Sequence, residues 1–125
     1  MSDVKVFTPQ EATQMLPLVR KIVEDILAIG QRMRSISFKE KTEGEAELTR
    51  LMDQLDELFE EMETLGCSYK DWNFSAGLVD FPSVINGREV FLCWRSDEPE
   101  ILYYHELDAG FAGRKPIPLS AISGK

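Results

Sequence analysis

Residues 78–95 read LVDFPSVINGREVFLCWR, and the turn at their centre decides how the second half of the chain is built. Asn86-Gly87, between Val84-Ile85 and Arg88-Glu89-Val90, is the pair that a two-residue β-hairpin favours, because both central positions take positive φ. Beyond the turn, Val90, Leu92 and Trp94 fall on one strand face, and Phe91, Cys93 and Arg95 on the other. Before it, residues 78–81 read as a strand that Pro82 ends or places at a sheet edge, since proline has no N–H for a ladder.

Working outward, Ser96-Asp97-Glu98-Pro99 is a second turn, and residues 101–105 return as a further strand. On the N-terminal side, residues 67–70 are short and extended, and residues 71–77 form a polar loop carrying Trp72 and Phe74. The expected sheet is an antiparallel meander of three or four strands.

Upstream of Gly66 the period changes from two to that of a helix. Ala12, Met15, Val19, Ile22, Ile26, Ile29, Met33 and Ile36 are spaced alternately three and four apart, a coiled-coil-like seam that Leu16, Val23 and Leu27 widen. Thr8-Pro9-Gln10-Glu11 starts this helix with a capping box and a proline at the first helical position. The spacing predicts one helix over 9–38 after an extended lead-in from Val4 to Phe7, with a kink at Pro17. Residues 39–44 connect it to a second helix marked by Leu48, Leu51, Leu55, Leu58, Met62 and Leu65, broadened by Met52 and Phe59. Gly66 suits its left-handed cap. An antiparallel hairpin with arms of about 35–45 Å follows, its pairing selected by Arg20, Lys21, Arg32, Arg34 and Lys39 against acidic groups on the second helix. So long a seam on so small a chain predicts a homodimer through the hairpin.

The fold class is therefore α+β, a long antiparallel helical hairpin followed by a small antiparallel sheet. A chain of 125 residues forms one domain, with the hairpin at 8–66, the meander and a glycine-rich turn at 67–118, and a loose tail at 119–125. The net charge of −8 comes from residues 40–65, where ten acidic residues oppose Lys41 and Arg50. That run reads as the solvated face of the second helix, with docking of a basic partner as its functional alternative. There is no basic face for nucleic acid and no apolar run of the ~20 residues that span a bilayer, and MSDVKVFTPQ, with neither a basic nor an apolar signal region, leads one to expect no secretory signal. Cys67 and Cys93 read as reduced thiols in a cytoplasmic protein.

The phrases FTPQEATQMLPLV, GLVDFPSVINGREVFLCWR and EPEILYYHELDAGFAGRKPI resemble the DUF2203 family of uncharacterised bacterial proteins, over residues 5–118. The resemblance implies a helical hairpin followed by a small sheet, and a site location more than an activity.

Chemistry concentrates between Glu89 and Arg114. His105, Glu106 and Asp108 have metal-ligand types, although a single histidine falls short of a structural zinc set. Cys93 and His105 lie on adjacent expected strands, so a thiolate–imidazole pair is weighed against a packed thiol. Arg88, Arg95 and Arg114 beside the glycine turn 108–114 suit a small anionic ligand, with Trp94, Tyr103 and Tyr104 as walls. The opposing account pairs Arg95 and Arg114 internally with Asp80, Glu106 and Asp108. The candidate ligand-binding residues are thus Arg88, Trp94, Arg95, Tyr104, His105 and Arg114. The expected function is a non-catalytic interaction or small-ligand-binding module with no cofactor; the alternative is a small metal-assisted enzyme using His105, Glu106 and Asp108.

Overall fold

The computed structural model describes residues 5–36, 41–71 and 73–122. Two long helices, α1 (Pro9–Ile36) and α2 (Lys41–Leu65), precede a five-stranded antiparallel sheet of β1 (Ser68–Tyr69), β2 (Leu78–Ile85), β3 (Arg88–Arg95), β4 (Tyr103–Glu106) and β5 (Lys115–Pro116). The strands lie in chain order, a meander. One helical turn, α3 (Leu119–Ile122), follows where the sequence reading leaves the tail loose. The sequence expectations at Val4, Phe38, Lys39 and Trp72 lie outside the described residues.

Local chemistry sets the element ends. The Thr8 N–H donates to Glu11 Oε1 at 3.0 Å and the Glu11 N–H to Thr8 Oγ1 at 3.1 Å, the reciprocal capping box. α1 runs through Pro17 as a continuous helix. Pro17 and Thr13 are both exposed, so the Thr13 carbonyl that loses its helical donor faces water. α2 ends in a Schellman motif: Gly66, at φ 100°, donates to Glu63 O at 2.9 Å, and Cys67 donates to Met62 O at 3.3 Å.

The core lies between the hairpin and one face of the sheet. Ala12, Leu16, Val19, Val23 and Ile26 of α1, with Leu55 and Met62 of α2, pack in one cluster with Val79, Phe81, Val90, Leu92 and Trp94. Each Val, Leu, Ile, Phe or Met among them contributes roughly 1.5–3 kcal/mol on burial. Covering by the sheet leaves little of the hairpin seam bare: among the described helical residues, Leu18 and Met52 are the exposed large apolar ones on α1 and α2. Across the hairpin, Arg32 forks onto Glu47 at 2.9 and 3.0 Å. Arg20 lies over the Trp94 ring at 5.0 Å and Lys21 pairs within α1 with Asp25, so those two do not select the helix pairing as expected.

β2 does not end at Pro82. Its eight residues pair with β3 from Leu78↔Arg95 to Ile85↔Arg88, around Asn86 and Gly87 at φ 53° and 79°. β1 covers only Val79 and Asp80, so Pro82 sits where β2 is an edge. Its carbonyl points away from β3 and accepts from the Phe7 N–H at 2.8 Å. In an antiparallel strand the nitrogen of the same residue points that way too, and no bond to β3 is lost.

The loop between β1 and β2 closes on Asp71. Its carboxylate accepts from the N–H groups of Asn73, Ser75, Ala76 and Gly77 at 2.8–3.1 Å. Burial pushes the Asp71 carboxyl up, but the four donors, Ala76 and Gly77 foremost, outweigh it and hold it below the usual carboxylate range.

Candidate functional site

With Val79, Phe81, Val90, Leu92 and Trp94 in the core, strand alternation turns Leu78 and Asp80 of β2, Phe91, Cys93 and Arg95 of β3, and Tyr103 and His105 of β4 to the opposite face. Among the described residues, neither α1 nor α2 packs on that face, since both belong to the core on the other side. Register does the rest: Asp80 lies opposite Cys93, and Phe91 opposite His105. Three polar side chains from three neighbouring strands thus meet on the sheet's outer surface.

They are nevertheless buried, with Asp80 5%, Cys93 1% and His105 3% exposed. The cover comes from the segment after β4. Leu107, Gly110 and Phe111 fold back over the sheet and, with Lys70, Leu78 and Phe91, border an open-sided cavity of about 310 Å³ whose wall includes Asp80, Cys93 and His105. Phe91 and Leu107 also border a neighbouring groove of about 490 Å³ with Val6, Pro82 and Val84.

Hydrogen bonding fixes the histidine. Nδ1 lies 2.8 Å from the Glu106 carbonyl and Nε2 lies 3.1 Å from Asp80 Oδ1. A carbonyl only accepts, so Nδ1 carries a proton and donates it. Nε2 is then the ring nitrogen that faces Asp80. The Cys93 thiol lies within 4.8 Å of the ligand atoms of both, so thiol, carboxyl and imidazole form one cluster. Burial raises Asp80, against the opposing pull of His105, then Lys70 and Cys93, and leaves it above the usual range. Burial first, then the charge of Asp80, pushes the Cys93 thiol up to about 12. Both causes favour the thiol over the thiolate. An activated Cys–His nucleophile therefore does not describe this site.

The sequence candidates divide between the two faces. His105, Arg95 and Arg114 lie on or beside the outer face. Trp94 is wholly buried against the helices, with its Nε1–H on Glu98 O at 2.9 Å, and is no pocket wall. Tyr104, paired with Leu92, packs against the core. Arg88 is exposed and donates to Glu106 at 2.8 Å.

The proposed ligand set His105, Glu106 and Asp108 does not converge, because successive strand residues point to opposite faces. Glu106 binds Arg88 and, at 3.5 Å, Lys115, and Asp108 is exposed. Among the described residues, the group whose ligand atoms do converge is Asp80, Cys93 and His105, all within 4.8 Å of one another.

The arginines are paired internally, with different carboxylates from those expected. Arg95 Nε lies 3.3 Å from Asp97 Oδ1, an exposed ion pair without hydrogen-bond geometry. Arg114 donates to both oxygens of Glu98 at 2.7 Å and to the Cys93 carbonyl at 3.2 Å, its guanidinium 4.2 Å from the Tyr103 ring centre and 4.7 Å from that of Phe111. This stack ties the glycine turn to the sheet and places Phe111 over the cavity. The cation that lines the cavity is Lys70.

Sequence reasoning missed Asp80 as a member of the site, and Lys70 altogether. A signal for Asp80 was present. Stepping outward equally from Asn86-Gly87 sets Ile85 opposite Arg88 and, five steps on, Asp80 opposite Cys93. Nothing comparable marks Lys70, which the Asp71-clasped loop carries into place.

Fold and site together define a small α+β protein in which a helical hairpin backs a five-stranded meander whose open face carries a polar pocket. The chain belongs to the DUF2203 family, whose model, described as an uncharacterized conserved protein, matches residues 5–117. No curated protein and no solved structure matches it. Among the described residues, no helix is long and apolar enough to cross a membrane.

Proposed function

We propose that this protein is a non-catalytic small-ligand-binding module whose site is the cavity on the outer face of the sheet. The observation that carries this reading is the lining itself. Lys70 and the buried Asp80, Cys93 and His105 face one space whose other walls are Leu78, Phe91, Leu107 and Phe111. A few convergent polar groups among apolar walls, in a volume of about 310 Å³, suit a small organic ligand. One cation at the rim favours an anionic one, with Lys70 in the role the sequence gave to Arg114.

Thermal unfolding in chelator-containing buffer, with a panel of small aliphatic and aromatic carboxylates, tests it. A saturable rise in Tm with at least one of them, lost in Lys70→Ala and reduced in Phe91→Ala, is the expected result. No rise across the panel, or one equally large in both variants, overturns the reading.

The same proposal includes a cytoplasmic location, supported by the two free, buried thiols Cys67 and Cys93. It also includes a homodimer through the coiled-coil-like hairpin, supported by the exposed Leu18 and Met52. Sedimentation velocity reads the oligomer, and Met52→Glu is expected to raise the monomer fraction.

A further inference from the structure

We infer that Asp80, Cys93 and His105 form a binding site for one divalent transition-metal ion of the zinc type, at the floor of the outer-face cavity. The inference rests on reading that cavity as the functional site and names the cofactor it would take.

Geometry comes first. One oxygen, one sulfur and one nitrogen donor lie within 4.8 Å of one another on three hydrogen-bonded strands. Around a tetrahedral zinc ion, with bonds of about 2.0–2.3 Å, ligand atoms stand roughly 3.2–3.8 Å apart. Closing the cluster onto an ion therefore needs shifts of about 1 Å, within the reach of side-chain rotation.

The histidine is already set for the role. Its Nδ1 donates to the Glu106 carbonyl at 2.8 Å, the outer-shell bond that metal-ligating histidines make, and this leaves Nε2 as the inward donor atom. Nε2 and Asp80 Oδ1 stand 3.1 Å apart, close enough to share one proton. The ion replaces that proton and the Cys93 thiol proton. The balance is one dication in and two protons out, leaving a neutral set of ion, thiolate, carboxylate and imidazole. Neutrality matters here, because unpaired charges at this burial are costly.

Donor type selects the ion. A thiolate with imidazole and one carboxylate suits zinc and its neighbours, whereas calcium and magnesium call for oxygen donors throughout. Three protein ligands leave a fourth position, and the cavity beside them supplies room for a water or ligand atom. An open fourth position is the arrangement of reactive or ligand-exchanging zinc sites, as opposed to closed structural ones.

Cys67 provides an internal control. It is equally buried, but its Sγ contacts Met62 O at 3.7 Å, and it belongs to no ligand group among the described residues.

The test uses the full chain, reduced and stripped with chelator, titrated with cobalt(II) and then with zinc(II). The expected result is one cobalt per chain, with a thiolate-to-metal charge-transfer band and tetrahedral d–d bands, displaced by zinc but not by excess magnesium or calcium. Cys93→Ser should abolish the charge-transfer band and weaken zinc binding by more than the roughly 10–100-fold that loss of an outer-shell partner costs. Cys67→Ser should change neither. No thiolate band, or a band that persists in Cys93→Ser and vanishes in Cys67→Ser, overturns the site. Because the carboxylate panel is run in chelator, its result stands or falls independently of the metal.

Discussion

His105 Nε2 and Asp80 Oδ1 lie 3.1 Å apart across β2, β3 and β4, with the second ring nitrogen committed to the Glu106 carbonyl. This pair lies at the centre of the outer face of the sheet, with the Cys93 thiol in the same cluster within 4.8 Å. Removing Asp80 leaves a buried imidazole nitrogen with nothing to meet it. Asp80→Ala is expected to cost about 3–5 kcal/mol, as for breaking a buried pair from one side. Asp80→Asn, whose amide can still donate to Nε2, should cost clearly less. Urea unfolding of both variants gives the order, and equal losses would show that the hydrogen bond to His105 contributes nothing.

Arg114 anchors the cover of the cavity. With its guanidinium bonded to both Glu98 oxygens and set against Tyr103 and Phe111, it holds residues 107–113 over the sheet. Arg114→Ala should destabilise by about 1.5–3 kcal/mol, the range for hydrogen bonds to charged groups. Arg114→Lys should recover only part of that, because an ammonium can reach Glu98 as the single nitrogen Nη2 does but cannot stack as a plane on the Tyr103 and Phe111 rings. The readout that separates anchoring from general stability is hydrogen exchange at residues 107–113, expected to rise in Arg114→Ala before exchange in β2 and β3 does.

Much of this architecture was legible in the sequence because it rests on local rules. Thr8 with Glu11 announces the start of α1, Gly66 the end of α2, and Asn86-Gly87 both the hairpin and its register. The two-residue strand β5 is invisible to periodicity, since two residues carry no pattern, and β1 showed only as an extended segment. The site was half legible. Cys93 and His105 stood out as residue types, but Asp80 was assigned to the arginines, although equal steps from the hairpin turn already set it opposite Cys93. The position of His105 depends on the loop between β3 and β4, and that of Lys70 on the Asp71 clasp. Tertiary contacts decide both, and neither leaves a mark on spacing.

The Asp71 clasp has a pH signature. Its folded carboxyl titrates below its unfolded value, so between the two values the unfolded chain binds more protons. Stability from this group is therefore fully present above the unfolded value of about 3.9 and is lost as pH falls through the lower folded value. Asp71→Asn should lower stability at neutral pH by about 1–3 kcal/mol. It should also flatten the acid limb of the stability–pH curve. Denaturant midpoints from neutral pH downward measure both effects; a variant with an unchanged acid slope would place the acid sensitivity elsewhere.

The same loop docks on α1 through Gly30 and Phe74. A β-carbon built on Gly30 would lie 2.7 Å from Phe74 Cβ and closer still to its ring. The ring itself stacks on Tyr69, centroids 6.2 Å apart. Helix propensity alone favours Gly30→Ala by about 1 kcal/mol. The overlap reverses the sign, because the loop must lift off the helix, and overpacking costs typically about 1–3 kcal/mol. Gly30→Ala is therefore expected to destabilise the protein. In the Phe74→Ala background, with the ring gone, the same substitution should be neutral or stabilising. A double-mutant cycle by denaturant unfolding isolates the coupling, and additive effects would mean that Phe74 does not seat on Gly30. Lys70 precedes Asp71 in this loop and lines the cavity, so Gly30→Ala should also weaken any carboxylate-induced rise in Tm, although Gly30 does not line the cavity.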